Sequence, residues 1–184
     1  MLKTSSQFVE YAQMCLKLPT VYAWGALGQR LSAQLLGRLA LEHPEHYWEQ
    51  RLSLLNEKIS EGRRLYCFDC SGLLKRFVMG GLVRYKYAPE LDLNCKGLLD
   101  ASPRKGAMDS FPAVPGICLY MEGHTAIYEG DGFAIEATLN PSFGDGVVRT
   151  ALDARPWTAW YEMPSVDYGN QLSSFMCDSL IAEE

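Results

Sequence analysis

Hydrophobic periodicity changes once along this chain, at Pro115-Gly116, and that change constrains the fold more than any other feature. Before it, apolar residues recur at helical spacing, as in Phe8, Ala12, Cys15 and Leu16, or Leu73, Leu74, Phe77 and Val78. After it, short β-type runs at 117–121, 124–128, 133–138, 146–150 and 158–162 alternate with turn residues. Helices followed by strands predict an α+β fold, with helices packed on one antiparallel sheet of about five to six strands.

Local signals place the elements. Thr4-Ser5-Ser6-Gln7 has capping-box form and opens a helix that Pro19 stops. Residues 30–61 read as two helices broken at Pro44, the first carrying Leu31, Leu35 and Leu36, the second Leu52, Leu55 and Ile59. A further helix begins near Asp69–Ser71 and stops at Gly80-Gly81. Residues 86–112, with scattered Pro, Gly, Asn and Asp, read as loop. A chain of 184 residues without internal repeats suits one domain over 1–184.

Charge narrows the partners. Seventeen basic against 22 acidic residues give a net charge of −5, which argues against the concentrated basic face that nucleic acid requires. No stretch approaches the roughly 20 apolar residues of a membrane span. Lys3 is followed by polar residues and not by an apolar run, so no signal-peptide pattern is visible. That leaves the compartment open between retention in the cytoplasm, export by a non-classical or phage route, and a leader missing from the chain. Six cysteines (15, 67, 70, 95, 118, 177) are too sparse for a disulfide scaffold, and Cys15 and Cys118 read as small buried hydrophobes.

Asp69-Cys70-Ser71-Gly72 stands where a loop becomes a helix. The partial positive charge of a helix N-terminus favours a thiolate, and Gly72 keeps the approach to the sulfur open. First-turn amides can serve as oxyanion donors. The alternative is a merely buried cysteine at a helix start. Cys67 and Cys70 also form C-x-x-C, readable as a redox pair, an inhibitory disulfide or half a zinc site. Zinc lacks a second close pair of ligands, and no strand clearly precedes the motif to support the redox reading. The prediction is that no metal or cofactor is used.

Of three histidines, only His124 lies among the strands. Twelve residues on comes Glu136, beyond the hairpin signal Gly130-Asp131-Gly132. A three-residue loop there opposes 126 to 136 and 124 to 138, which puts His124 and Glu136 on one face as diagonal neighbours. A two-residue loop at 130–131 puts them on opposite faces. The first register suits a carboxylate that orients an imidazole.

Three blocks together resemble the NlpC/P60 family of cell-wall cysteine peptidases: Tyr22-Ala-Trp24-Gly25-Ala26, Phe68-Asp69-Cys70-Ser71-Gly72-Leu73, and Pro115-Gly116 with Gly123-His124-Thr-Ala-Ile-Tyr128 and a Gly-rich turn. The resemblance covers roughly residues 5–165. It implies a reduced papain-like α+β fold, with Cys70 as nucleophile, His124 as base and Glu136 as the third member. It further implies that Tyr22, Trp24, Asp69 and Ser71 contact substrate. The implied substrate is a peptidoglycan stem peptide or muropeptide, the bond between γ-D-glutamate and the following diamino acid being one target. The chain departs from the family with Glu136 where His is usual, and with Ile117 after Pro115-Gly116 where Asp is usual. It also places 44 residues between Gly25 and Asp69, which reads as a helical insertion at 30–61 that caps the cleft or binds a partner. Two alternatives stay open: an amidase or acyl transferase acting on a non-wall substrate, and a catalytically silent module of a phage or secretion apparatus.

Overall fold

A computed structural model describes residues 3–169, so Cys177 lies outside the described residues. In chain order the elements are β1 (Lys3–Thr4), α1 (Ser5–Leu16), β2 (Thr20–Tyr22), β3 (Leu27–Arg30), α2 (Ala33–Glu42), α3 (Glu49–Ser60), β4 (Tyr66–Phe68), α4 (Cys70–Val78) and α5 (Cys95–Ala101). There follow β5 (Lys105–Ala107), β6 (Cys118–Met121), β7 (His124–Gly130), β8 (Phe133–Asn140), β9 (Gly144–Ala151), β10 (Ala159–Tyr161) and β11 (Val166–Asp167). The main sheet is antiparallel and six-stranded, in the order β5-β10-β6-β7-β8-β9. A small sheet, β2-β4-β3, lies beside it, and β1 pairs with β11.

The N-terminal half folds as its caps and stripes dictate. Thr4 Oγ1 accepts from the Gln7 amide at 3.3 Å while Gln7 Oε1 accepts from the Thr4 amide at 3.1 Å, which closes the capping box of α1. Phe8, Tyr11, Ala12 and Cys15 then form its buried face. On α4, Leu73, Leu74 and Phe77 are buried in one cluster with Ile127, Ile135, Ala137 and Tyr161, so the cysteine helix packs on the sheet. Burying each such side chain contributes roughly 1.5–3 kcal/mol. Helices α2 and α3 flank a short helical turn at Pro44–His46. Their Leu35, Leu36, Leu39 and Leu55 form a second cluster with Val21, Ala23 and Cys67.

The hairpin of β7 and β8 reaches the expected register by a different turn. Ile127 faces Ile135 and Tyr128 faces Ala134, a register that continues to set 126 opposite 136. The loop itself is the two-residue Asp131-Gly132, both at positive φ, and a bulge between Tyr128 and Gly130 absorbs the extra residue. The bulge thus restores the pairing that a two-residue loop alone would shift.

Several elements carry no readable period. Strands β2, β3 and β4 have three or four residues each, too few to show alternation, and β4 contains Cys67, the first residue of the C-x-x-C segment. Within 86–112, Asn94 caps the seven-residue α5 through its side chain, and β5 pairs with β10, where the sequence alone suggests loop.

Candidate active site

Cys70 is the first residue of α4 and is 3% exposed. Its turn is built by Asp69, whose Oδ1 accepts from the Gly72 amide at 2.5 Å and from Ser71 Oγ at 3.0 Å. The other carboxylate oxygen accepts from the Gly25 amide at 2.8 Å. Asp69 therefore ties the Tyr22–Gly25 segment to the cysteine turn. Burial pushes its carboxyl pKa up, against Lys75 and these three donors. Asp69 and Ser71 are buried and bonded to each other, an arrangement that shapes the turn. Gly72 has a reason other than access to the sulfur: a Cβ there would sit 2.0 Å from the Ala26 carbonyl oxygen, so α4 and the Ala26 backbone touch.

His124 opens β7 with its side chain 12% exposed. Its Nε2 lies 2.5 Å from Glu136 Oε2 on the neighbouring strand, which leaves Nδ1 for the hydrogen bond with Cys70. Glu136 is fully buried and saturated with donors. Thr150 Oγ1 donates to Oε1 at 2.7 Å; Arg155 donates to Oε2 at 2.6 Å and to Oε1 at 3.2 Å. Arg155 also reaches Thr138 Oγ1 at 3.0 Å and lies over the Phe143 ring. Trp157 stacks beside the imidazole, with ring centroids 5.8 Å apart.

The charges follow from these contacts. Burial acts to lower the His124 pKa, but the bonds to Cys70 and Glu136 outweigh it and raise the value to about 9. For Glu136, burial would raise the carboxyl; His124, Arg155 and Thr150 instead hold it below the usual carboxylate range. Cys70 differs from the expectation of a thiolate favoured by the helix N-terminus. Its Sγ lies 3.3 Å from Cys95 Sγ, at the start of α5; that contact first, and burial second, push the thiol up against the pull of His124. The same contact pulls Cys95 down.

Cys67, the other member of C-x-x-C, faces elsewhere. It donates to the Gln29 carbonyl at 3.2 Å and is buried in the second cluster, whereas Cys70 belongs to the first. Three residues of separation across a strand-to-helix junction turn the two thiols to different cores.

Two hollows adjoin at Trp24 and Glu122-Gly123, one lined by Cys70 and the other by His124. One, of about 790 Å³, is lined by Cys70, Cys95 and Lys75 together with Arg38, Glu42 and His43 from the α2 side. The other, of about 360 Å³, is lined by Tyr22, Trp48, His124, Leu139 and Arg155. Trp24, Glu122 and Gly123 border both, so a groove runs past the sulfur and the imidazole. The 30–61 segment braces the Trp24 wall. His46 stacks on Trp24 with centroids 3.6 Å apart, Tyr47 Oη donates to the Trp24 carbonyl at 2.7 Å, and the His43 ring fills the space where a Gly25 Cβ would stand. Arg51 of α3 pairs with Asp145 at 2.7 Å and donates to the Tyr22 carbonyl, while Asp145 accepts from the Tyr22 amide at 2.9 Å.

Tyr22 lies within electrostatic range of Cys70 and Asp69, and its hydroxyl makes no hydrogen bond among the described residues. Burial and the Cys70 and Asp69 charges push it up, so it remains a donor. Among the described residues, no group of three or more His, Cys, Asp and Glu side chains is arranged to hold a metal ion. The sequence reading missed Arg155, Thr150 and Cys95. Thr150 was findable, since a β8–β9 pairing places Val148 opposite Glu136 and Thr150 two residues on. Arg155 and Cys95 come from irregular or very short segments and give no such signal.

The architecture is that of NlpC/P60 domains. The P60 domain of an antigen from M. avium subspecies paratuberculosis is 18% identical and superposes with a TM-score of 0.51, over 89% of this chain and 98% of that domain. NlpC2 from Trichomonas vaginalis is 15% identical, with a TM-score of 0.48 over 86% of this chain and 46% of its own. NlpC1 from the same organism gives 14% and 0.48, over 86% and 43%. The chain thus spans less than half the length of the two Trichomonas proteins. No protein-family model and no curated protein matches the sequence.

Proposed function

We propose that the chain is a cysteine peptidase or amidase that hydrolyses an amide bond in peptidoglycan stem peptides or muropeptides. The observation that carries this reading is the 2.5 Å contact between His124 Nε2 and Glu136 Oε2, with the other ring nitrogen left for Cys70 at a helix start. Cys70 gives up its proton to His124, and Glu136, held below the usual carboxylate range, stabilises the imidazolium that forms. The sulfur attacks the scissile carbonyl. Gly72 and Leu73 amides are occupied by Asp69, which leaves the Cys70 and Ser71 amides and the Tyr22 hydroxyl as oxyanion donors. His124 returns its proton to the leaving amine, and water resolves the thioester.

The groove between Trp24 and Glu122-Gly123 suits an extended chain with side groups in both hollows. A second reading has one observation in its favour: Arg38, Glu42 and His43 of the 30–61 segment line the larger hollow, which supports an amide or acyl-transfer substrate from outside the wall. The deciding experiment is a mass-spectrometric digest of purified peptidoglycan and soluble muropeptides with wild type and Cys70→Ala. New fragments from wild type alone are the expected result, and their masses name the bond. Identical spectra from a folded, alkylatable enzyme count against wall substrates.

A further inference from the structure

Cys95 takes no part in the chemistry proposed above, yet its sulfur lies 3.3 Å from that of Cys70. A disulfide bond is about 2.05 Å long, so bonding needs an approach of roughly 1.2 Å. Both thiols border the same 790 Å³ hollow, which admits a small oxidant. Cys95 opens α5, and α5 follows the long connection 79–94, whose regular structure is limited to a turn at Pro89–Leu91. A short approach is thus open to it without moving the sheet. The other described cysteines offer Cys70 no such contact: Cys67 bonds the Gln29 carbonyl, and Cys15 and Cys118 are fully buried.

We infer that Cys95 is a resolving cysteine, which converts oxidised Cys70 into a reversible disulfide and so protects and silences the nucleophile. The oxidant class is a hydroperoxide. The Cys70 sulfur attacks the terminal peroxide oxygen, the O–O bond breaks, and the departing oxygen takes up a proton, leaving Cys70 as sulfenic acid. The Cys95 sulfur then attacks the Cys70 sulfur, the S–O bond breaks, and hydroxide leaves with a proton as water. Two thiols lose two electrons in total, and one peroxide is reduced to water or alcohol with one further water. A neighbouring thiol in van der Waals contact outruns a second peroxide, so the disulfide forms ahead of sulfinic acid.

The silencing rests on the hydrolase reading; the disulfide does not. The test is non-reducing peptide mapping of the full chain after brief treatment with hydrogen peroxide and alkylation of the remaining thiols. The expected product is a peptide pair linked between Cys70 and Cys95, with fragment ions separating Cys70 from Cys67, and four of the six thiols still alkylated. Dithiothreitol restores all six. In Cys95→Ser the linked pair disappears and Cys70 accumulates as sulfinic acid; Cys95→Ala repeats this if serine prevents folding. Wild-type Cys70 recovered as sulfinic acid, or linked to Cys67, overturns the inference. A reversible Cys70–Cys95 link in a protein that releases no wall fragments upholds the disulfide and removes the hydrolase reading.

Discussion

Arg155 Nη2 lies 2.6 Å from Glu136 Oε2, the same oxygen that His124 Nε2 meets at 2.5 Å. One fully buried carboxylate thus serves two cations, and Thr150 fixes its other oxygen. The arrangement orients the imidazole more tightly than a lone Glu would, because the carboxylate cannot rotate away from either partner. It also divides the carboxylate's charge between His124 and Arg155.

That division has a measurable sign. Glu136→Gln removes the negative charge that helps hold the His124 pKa near 9, so the value falls toward 6.5. Arg155→Met removes the competing cation and moves the His124 pKa the other way. NMR titration of the three histidines reads both, with His124 assigned from His124→Gln. An unchanged His124 pKa in Glu136→Gln would refute the charge coupling. Activity in Glu136→Ala should fall by about two to four orders of magnitude, as for other lost imidazole orienters.

Stability should depend on pH through the same pair. The folded pKa of His124 is raised, so its contribution is fully present below about 6.5 and is lost as pH rises through about 9. Glu136 is shifted down, so its contribution is present above the ordinary carboxylate pKa and is lost as pH falls. Thermal denaturation should therefore show a stability plateau between the ordinary carboxylate range and about pH 6.5, with an alkaline decline from there through about 9. The His124→Gln variant should lose that alkaline decline and keep the acidic one. If both proteins decline alike between about pH 7 and 10, the raised pKa is not a property of the folded state.

Much of this site was legible because it depends on regular elements. The capping box of α1, the stripe of α4 and the β7–β8 pairing all carry their own periods, and the pairing alone places His124 near Glu136. What escaped comes from segments too short to have a period. Cys95 sits on a seven-residue helix inside a stretch that reads as loop, and Arg155 follows a single helical turn after β9. The C-x-x-C spacing pointed Cys70 toward Cys67; the strand-to-helix junction separates them, and a thiol 25 residues away takes the place. Spacing along the chain reports neighbours only within an element or across a short hairpin.

Gly72 tests the contact between α4 and Ala26. In a free helix, alanine is favoured over glycine by about 1 kcal/mol. Here the added Cβ would stand 2.0 Å from a backbone oxygen, and that backbone also accepts from the Asp69 amide at 3.0 Å. The clash outweighs the propensity, so Gly72→Ala should destabilise by about 1–3 kcal/mol, as overpacking does. The denaturant midpoint should fall, and the alkylation rate of Cys70 should change with it. A stabilised Gly72→Ala would mean that α4 has room to move, and the turn would then not be fixed by Asp69.

The clamp on Tyr22 gives a prediction that separates binding from chemistry. Arg51 is 4% exposed, and its guanidinium is held by Asp145 and the Tyr22 carbonyl. Arg51 is buried while the Asp145 side chain is 26% exposed, so Asp145→Ala, which strands the guanidinium, should cost toward the roughly 3–5 kcal/mol of a broken buried pair and Arg51→Ala should cost less. The double variant should cost much less than the sum, because the second change no longer strands a charge. If Tyr22 donates to substrate, the Arg51→Met variant, which keeps the apolar stem, should lower kcat/KM while leaving the His124 pKa in place. Tyr22→Phe should then reproduce most of that kinetic loss without the loss of stability. Equal kinetics for Tyr22→Phe and wild type would assign the clamp to the Trp24 wall and take Tyr22 out of the reaction.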